Sequence, residues 1–283
     1  MKTLFLTAAL AASVLSASAS VPWQDQHVNA IGREPMAAHF LPFSSEKAAL
    51  ANRALSAASR YAATDGQRRV SLDGTWNFLY FRNDSLCPAD IYRSRLRKPS
   101  SITVPGSWEL QGFDAPIYTD TRYPFPANPP YVPADYNPVG VYQREFTVPA
   151  DWKGLDVFLE FEGVESAYYV WVNDELVGYA EDSRLPSVFR INDKFKPGRN
   201  RLTVKVYRYS DGSYLEGQDY WKYSGIERPV YLTARPATRV SDFRLDAPLV
   251  NGYRDGDLSL EVRMRKPQAG QRVDVSLSKD GQT

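Results

Sequence analysis

The chain has 283 residues, 43% of them hydrophobic and 24% charged, enough apolar material to pack one large or two ordinary domains and to exclude wholesale disorder. With 34 Lys and Arg against 33 Asp and Glu, a net charge of +1 and no basic block, it is a poor candidate for nucleic acid. One cysteine, Cys87, excludes a disulfide scaffold and a thiolate metal centre, and two histidines, His27 and His39, are too few for a His-rich zinc site or a ready catalytic triad.

Residues 1–19 carry Lys2, an apolar run from Leu4 to Leu15 and Ala17-Ser18-Ala19, the pattern of a secretory leader cut after Ala19. The run is too short to span a bilayer, and no other segment is long enough. The expected location is therefore exported, periplasmic or extracellular, with no membrane insertion after cleavage. Residues 20–69 read as an N-terminal extension, irregular to residue 44 and broken by Pro22, Pro35 and Pro42. Within it, 45–63 is rich in Ala and Leu behind Ser44 and Ser45, so a short capped helix with a weak apolar face is expected there.

Strand alternation begins at Val70. Trp76, Phe78 and Tyr80 fall on one face, and further alternating runs follow at 141–148, 156–162, 168–172, 176–179, 189–191 and 202–206. Asn173-Asp174 and Lys196 to Asn200 read as turns. In 156–162, Val157, Leu159 and Phe161 form the expected buried face. Between them, 105–140 holds eight prolines, which forbid a regular ladder and predict a long functional loop. No βαβ alternation appears. The expected class is all-β, a jelly-roll sandwich over 70–235. After the linker at Arg235 to Thr238, 258–264 and 272–277 alternate as two strands. Lys279-Asp280-Gly281 reads as a turn lacking its return strand, so 236–283 is expected to begin a second, truncated sandwich.

No P-loop, dinucleotide fingerprint, HExxH, EF-hand or GxSxG pattern is present. Three constellations remain. Asp211-Gly212, within 208–221, is a common turn pair, or a carboxylate at a strand end for sugar hydroxyls or a cation. Glu216 and Asp219 nearby do not establish a glycosidase acid pair, since loop spacing fixes no carboxyl separation, and loop structure is their default. Asn128, set between Pro126 and Pro129-Pro130, is either a turn initiator or an amide matching a sugar diol. Asp182 and Arg184 suggest a surface ion pair or an Asp-capped turn.

Taken together, 104–118, 127–133, 178–187, 210–216 and 221–228 resemble the N-terminal sugar-binding domain of glycoside hydrolase family 2, nearest to the large lac-type bacterial β-galactosidases. The likeness runs from about Asn29 to the end of the chain. It implies a jelly roll, an immunoglobulin-like sandwich, a TIM barrel and two further β domains. The implied reaction is hydrolysis of terminal β-D-galactosides with retention, by two glutamates of the barrel, assisted by sodium and magnesium. By motif match Asn128 resembles the asparagine that contacts galactose, and Asp211 the aspartate that contacts the sugar and binds sodium. Magnesium belongs to the catalytic domain, and the family implies self-association of the full-length enzyme. A barrel needs about 250 residues, so no catalytic glutamate is expected in this chain, which is expected to be inactive alone. The alternatives are a free-standing carbohydrate-binding protein and a family 2 enzyme of other specificity, such as a glucuronidase or mannosidase.

Overall fold

The computed structural model describes residues 21–39, 41–56, 68–275 and 277. The expected leader, residues 57–63 of the expected helix and the Lys279-Asp280-Gly281 turn lie outside them. The described residues are β-structure with short 3-10 turns and one α-helix, Glu46–Arg53. Ser45 starts this helix: its backbone is extended and its Oγ accepts from the Ala48 N–H at 3.3 Å, satisfying one donor that a first helical turn leaves open. Only Asn52 is buried along it, as its weak apolar face predicts.

Eleven of the described strands form two antiparallel sheets, beside four two-stranded pairs. One has seven strands, in the spatial order Ala30–Ile31, Glu175–Ala180, Ala167–Val172, Arg199–Tyr207, Val139–Thr147, Gly74–Phe81 and Ser100–Val104. The other has four: Ser187–Arg190, Asp156–Phe161, Val230–Arg235 and Arg69–Ser71. Trp76, Phe78, Tyr142 and Val204 from the first sheet and Leu159, Phe161, Phe189 and Leu232 from the second share one buried cluster. Burying each such large apolar side chain contributes about 1.5–3 kcal/mol. The Trp76 indole N–H donates to the Leu72 carbonyl at 2.8 Å, so burial leaves no open donor there. Asn173, at φ 56°, turns Ala167–Val172 into Glu175–Ala180, a left-handed position that Asn tolerates.

Two sequence expectations change. Asp156–Phe161 is buried along its whole length, not on one face only. Its outward carboxylates are covered by cations: Asp156 pairs with Arg190 at 2.9 Å and Arg239 at 2.8 Å, and Glu160 pairs with Arg235. Phe158 lies under Arg235 and Arg239, 5.3 and 5.1 Å from its ring. Polar alternation thus marks a second buried layer rather than solvent. The second change concerns the C-terminal segment. Arg239–Asp246 pairs with Ser259–Arg265, placing Val240 opposite Met264 and Leu245 opposite Leu260, but residues 271–275 form no strand. Alternation selects a face but does not supply the neighbouring edge on which a strand must hydrogen-bond.

The outer face of the seven-stranded sheet is also covered at one end. Val139, Val141, Tyr179 and Tyr207 are buried there with Cys87, a free thiol, and Trp23 stacks on Tyr207 with centroids 4.2 Å apart. Phe125, Val132 and Tyr209 form a third cluster, on which Tyr136 and Tyr214 also pack. It underlies the proline-rich loop and fixes that loop against the end of the Arg199–Tyr207 strand.

Candidate functional site

At that strand end the chain places a buried cation. The Arg208 side chain is 1% exposed, with Nη1 2.5 Å from Asp114 and 3.7 Å from Glu109. Its Nη2 donates to the Ala115 carbonyl at 3.0 Å. Asp114 gathers four donors: Tyr136 Oη at 2.6 Å and its neighbour's Ala115 N–H at 2.8 Å on Oδ1, Tyr80 Oη at 2.9 Å and Arg208 on Oδ2. Burial opposes ionisation, but these donors and the guanidinium together hold the Asp114 carboxyl below the usual range. Glu109 is pushed up to about 7, because burial outweighs the attraction of Arg208 and its bond from the Ser224 N–H. Asp114 is thus the point where the proline-rich loop is tied to the sandwich.

Asn137 adds a second tie. Its Nδ2 donates to the Tyr209 carbonyl at 2.9 Å and its Oδ1 accepts from the Tyr209 N–H at 2.9 Å. Beyond Tyr209 the chain enters the 3-10 turn Asp211–Tyr214, started by a capping box between Ser210 and Ser213. Ser166 Oγ lies 2.6 Å from Ser210 Oγ, anchoring this turn to the Ala167–Val172 strand.

Asn128 and Asp211 stand on these two neighbouring loops, and Tyr214 bridges them. The Asn128 N–H donates to Tyr214 Oη at 2.9 Å, and that hydroxyl donates onward to the Tyr131 carbonyl at 2.7 Å. Tyr214 closes the same turn that Asp211 opens. The Asn128 residue is exposed, and its backbone is held while its amide points to no protein partner among the described residues. It lines a hollow of about 450 Å³ with Phe125, Tyr131, Tyr136 and Tyr209. Asp211 is not part of that lining, so the loops are joined but the two side chains do not share this hollow.

Asp211 Oδ1 is buried without a hydrogen-bond partner. Burial raises its carboxyl, while a hydrogen bond from Glu181 lowers it. Glu181 is raised to about 8, first by burial and then by the charge of Asp211, and it also accepts from Tyr179 Oη. The two carboxyls interact, and burial holds both above the usual carboxylate range.

The other acids are structural. Glu216 accepts from the Ser183 N–H at 3.0 Å and from Ser183 Oγ at 2.7 Å, and Asp219 accepts from Tyr118 Oη. Loop structure, the default for both, is what they provide. Asp182 and Arg184 do not pair with each other. Asp182, at φ 73°, reaches Arg33 at 2.8 Å, while Arg184 lies 2.6 Å from both Glu165 and Glu227. The left-handed backbone at Asp182 turns the two side chains to different partners. Sequence reading missed Tyr214 and Arg208, whose partners Asn128 and Asp114 lie 86 and 94 residues away, and Glu181, whose charge partner Asp211 stands on a separate turn.

Residues 70–236 match the family described as "Glycosyl hydrolases family 2, sugar binding domain". The chain belongs to glycosyl hydrolase family 2. It is 39% identical over 259 residues to a β-galactosidase of Klebsiella pneumoniae, covering 90% of this chain and 24% of that protein. It is 44% identical over 198 residues to one from Priestia megaterium, covering 68% of this chain and 19% of that protein. The chain thus spans about a fifth to a quarter of the length of these curated relatives, and it is similar to the N-terminal region of bacterial β-galactosidases. Among solved structures, a Bifidobacterium dentium β-glucuronidase in complex with coumarin-3-O-glucuronide aligns with a TM-score of 0.53 at 21% identity, over 71% of this chain and 36% of that one. That likeness shows the family 2 sandwich fold and nothing about the sugar. In this family 2 chain, the proline-rich loop and the Asp211–Tyr214 turn form one rigid corner beside the sandwich.

Proposed function

We propose that this chain is the N-terminal sugar-binding region of an exported β-galactosidase that hydrolyses terminal β-D-galactosides with retention. The observation that carries the reading is the corner at Tyr214: an exposed asparagine amide free of protein partners and a buried carboxylate oxygen lacking a donor, on two loops bridged by one hydroxyl. An amide offers both a donor and an acceptor to a sugar diol, and a carboxyl oxygen accepts from a hydroxyl or holds a cation. In this role Asn128 and Asp211 contact galactose, and bond cleavage falls to two glutamates of a TIM barrel elsewhere in the polypeptide. The first sandwich is then a jelly roll over 70–235, and 236–283 begins an immunoglobulin-like domain.

Sodium fits Asp211 in one respect. Its unpartnered Oδ1 is a hard carboxyl oxygen, and the ion would supply a positive charge that orients a galactose hydroxyl. Among the described residues no group of three or more His, Cys, Asp or Glu is placed to hold a metal, so sodium at Asp211 would need carbonyl, hydroxyl or water oxygens as its further ligands. Magnesium is proposed to belong to the catalytic domain.

The test is hydrolysis of o-nitrophenyl-β-D-galactoside by residues 1–283 and by the polypeptide extended through the downstream reading frame. The proposal expects activity only in the extended protein. Turnover by 1–283 alone contradicts it. A frame that closes without a barrel would support a free-standing carbohydrate-binding protein instead.

A further inference from the structure

A second hollow, of about 360 Å³, lies on the outer face of the seven-stranded sheet. Its floor is made by Thr75, Asn77, Gln143, Glu145 and Arg201, which alternate with the core-facing Trp76, Tyr142 and Leu202. Cross-strand pairing sets Asn77 opposite Gln143 and Arg201 opposite Glu145. Four arginines line it, Arg95, Arg144, Arg199 and Arg201, with one acidic residue, Glu145.

That carboxylate is shared. Arg95 is 2.5 Å from Glu145 and Arg199 is 3.3 Å from it, and both arginine side chains are 72% exposed. Among the described residues Arg144 has no carboxylate partner: its Nη1 donates to the Asp73 carbonyl at 3.1 Å and the Thr75 carbonyl at 3.5 Å, and its guanidinium lies 5.9 Å from the Trp76 ring. Arg201 pairs with Asp174, yet its Nε is buried without an acceptor. The segment that forms one wall adds exposed Arg93, Arg97 and Lys98. In a chain of net charge +1, this is a concentrated positive field, and a concave site focuses it. Thr75 and Asn77 are exposed, and their side chains make no hydrogen bond among the described residues. The hollow beside Asn128, by contrast, has no cationic residue in its lining.

Guanidiniums lining one hollow repel one another, and an oxyanion that accepts from several of them relieves that cost. A free hydroxyl and a free amide beside the cations suit the hydroxyls of a ring carrying that anion. We propose that this hollow binds an anionic sugar, its sulfate ester or carboxylate seated among Arg95, Arg144 and Arg199 and its ring hydroxyls on Thr75 and Asn77. The proposal is independent of the roles given to Asn128 and Asp211.

The test is an NMR titration of the 283-residue chain with galactose 6-sulfate, galacturonate, galactose and sodium sulfate, in low salt and in about 0.3 M NaCl. The expected result is binding of one or both anionic sugars at resonances of Thr75 and Asn77, weakened by salt, with no galactose binding there. Galactose 6-sulfate and galacturonate separate the two oxyanions. Arg144→Gln is expected to weaken the anionic sugar by about tenfold, and Asn77→Ala to weaken the sugar but not inorganic sulfate. Arg199→Gln, on the exposed rim, gives the same reading should Arg144→Gln unfold. The proposal is overturned if no anionic sugar binds or if galactose binds equally well. It also fails if inorganic sulfate matches the sulfated sugar, if neither arginine variant changes affinity, or if a short DNA duplex displaces the sugar as a stronger ligand.

Discussion

Asp114→Asn isolates the tie between the proline-rich loop and the sandwich. Asp114 sits at φ 80°, a backbone that Asn adopts about as readily, so the substitution removes charge without adding strain. Each carboxyl oxygen of Asp114 takes two donors: Tyr136 and the Ala115 N–H on one, Tyr80 and Arg208 on the other. An amide can face only one of these pairs with its oxygen. Tyrosine hydroxyls can turn to accept from the new NH2, but neither the Ala115 N–H nor Arg208 can. With the oxygen toward Arg208, the Ala115 N–H loses its acceptor, but that bond is exposed and water can replace it, at about 0.5–1.5 kcal/mol. The bond to Arg208 also loses its negative partner. Breaking a buried pair costs about 3–5 kcal/mol. Glu109, 3.7 Å from Arg208, remains as a second counter-charge and brings the expected loss to about 3 kcal/mol. For a cooperative unit of 150–250 residues that lowers Tm by roughly 6–12 °C. Asp114→Ala should lose more, since all four acceptor contacts go and alanine is strained at positive φ. Thermal unfolding followed by circular dichroism measures both. A Tm for Asp114→Asn within about 2 °C of the parent, below that range, would refute the reasoning, as would an alanine variant more stable than the asparagine one.

Tyr214→Phe removes the hydroxyl between Asn128 and Tyr131. It should cost about 1 kcal/mol in chemical denaturation and speed amide exchange at Asn128. Unchanged exchange there would remove the bridge from the account. Glu165 is pushed up to about 8, first by burial and then by Glu227, despite Arg184, and Glu109 is raised to about 7 by burial. Both folded-state values exceed the unfolded one, so both carboxyls are protonated in either state at low pH. The stability tied to that proton is then lost as pH rises through 7 to 8. Tm should fall between pH 6 and pH 9 by more in the parent than in Glu165→Gln, and equal slopes would contradict this. At Gly140 a β-carbon would lie 2.4 Å from the Trp108 ring and 2.8 Å from Phe78. Gly140→Ala should therefore destabilise by about 1–3 kcal/mol through overpacking, and a denaturation midpoint equal to the parent's would show the core gives way freely.

The fold was legible where burial follows one rule. Gly74–Phe81 reads correctly because Trp76 and Phe78 face the core and the residues between them do not. It was misread at Asp156–Phe161, where Glu160 and Asp156 look like a wet face but are sealed by Arg235 and by Arg239, 75 and 83 residues away. The Asp182 and Arg184 pairing failed for a related reason. Proximity in sequence favoured it, and a left-handed turn sent Asp182 to Arg33, 149 residues distant. At the candidate site, Asn128 and Asp211 are singled out by motif likeness, not by periodicity or charge. Tyr214 carries no such mark, because its partner Asn128 is 86 residues away and only the closed sandwich brings them together. The cationic hollow was equally hidden: its arginines are scattered over three segments and cancel in the net charge.

The central claim is that Asn128 and Asp211 meet the galactose of a substrate cleaved elsewhere in the polypeptide. The most direct measurement is kcat/KM for o-nitrophenyl-β-D-galactoside in the extended protein carrying Asn128→Ala or Asp211→Ala, with Tm recorded for each. The account predicts a loss of at least about tenfold in each variant, the worth of one hydrogen bond to a charged or well-placed group, with Tm preserved, and a smaller loss from Asp211→Ala when sodium is withheld from both proteins. Parental kcat/KM in both variants would contradict it.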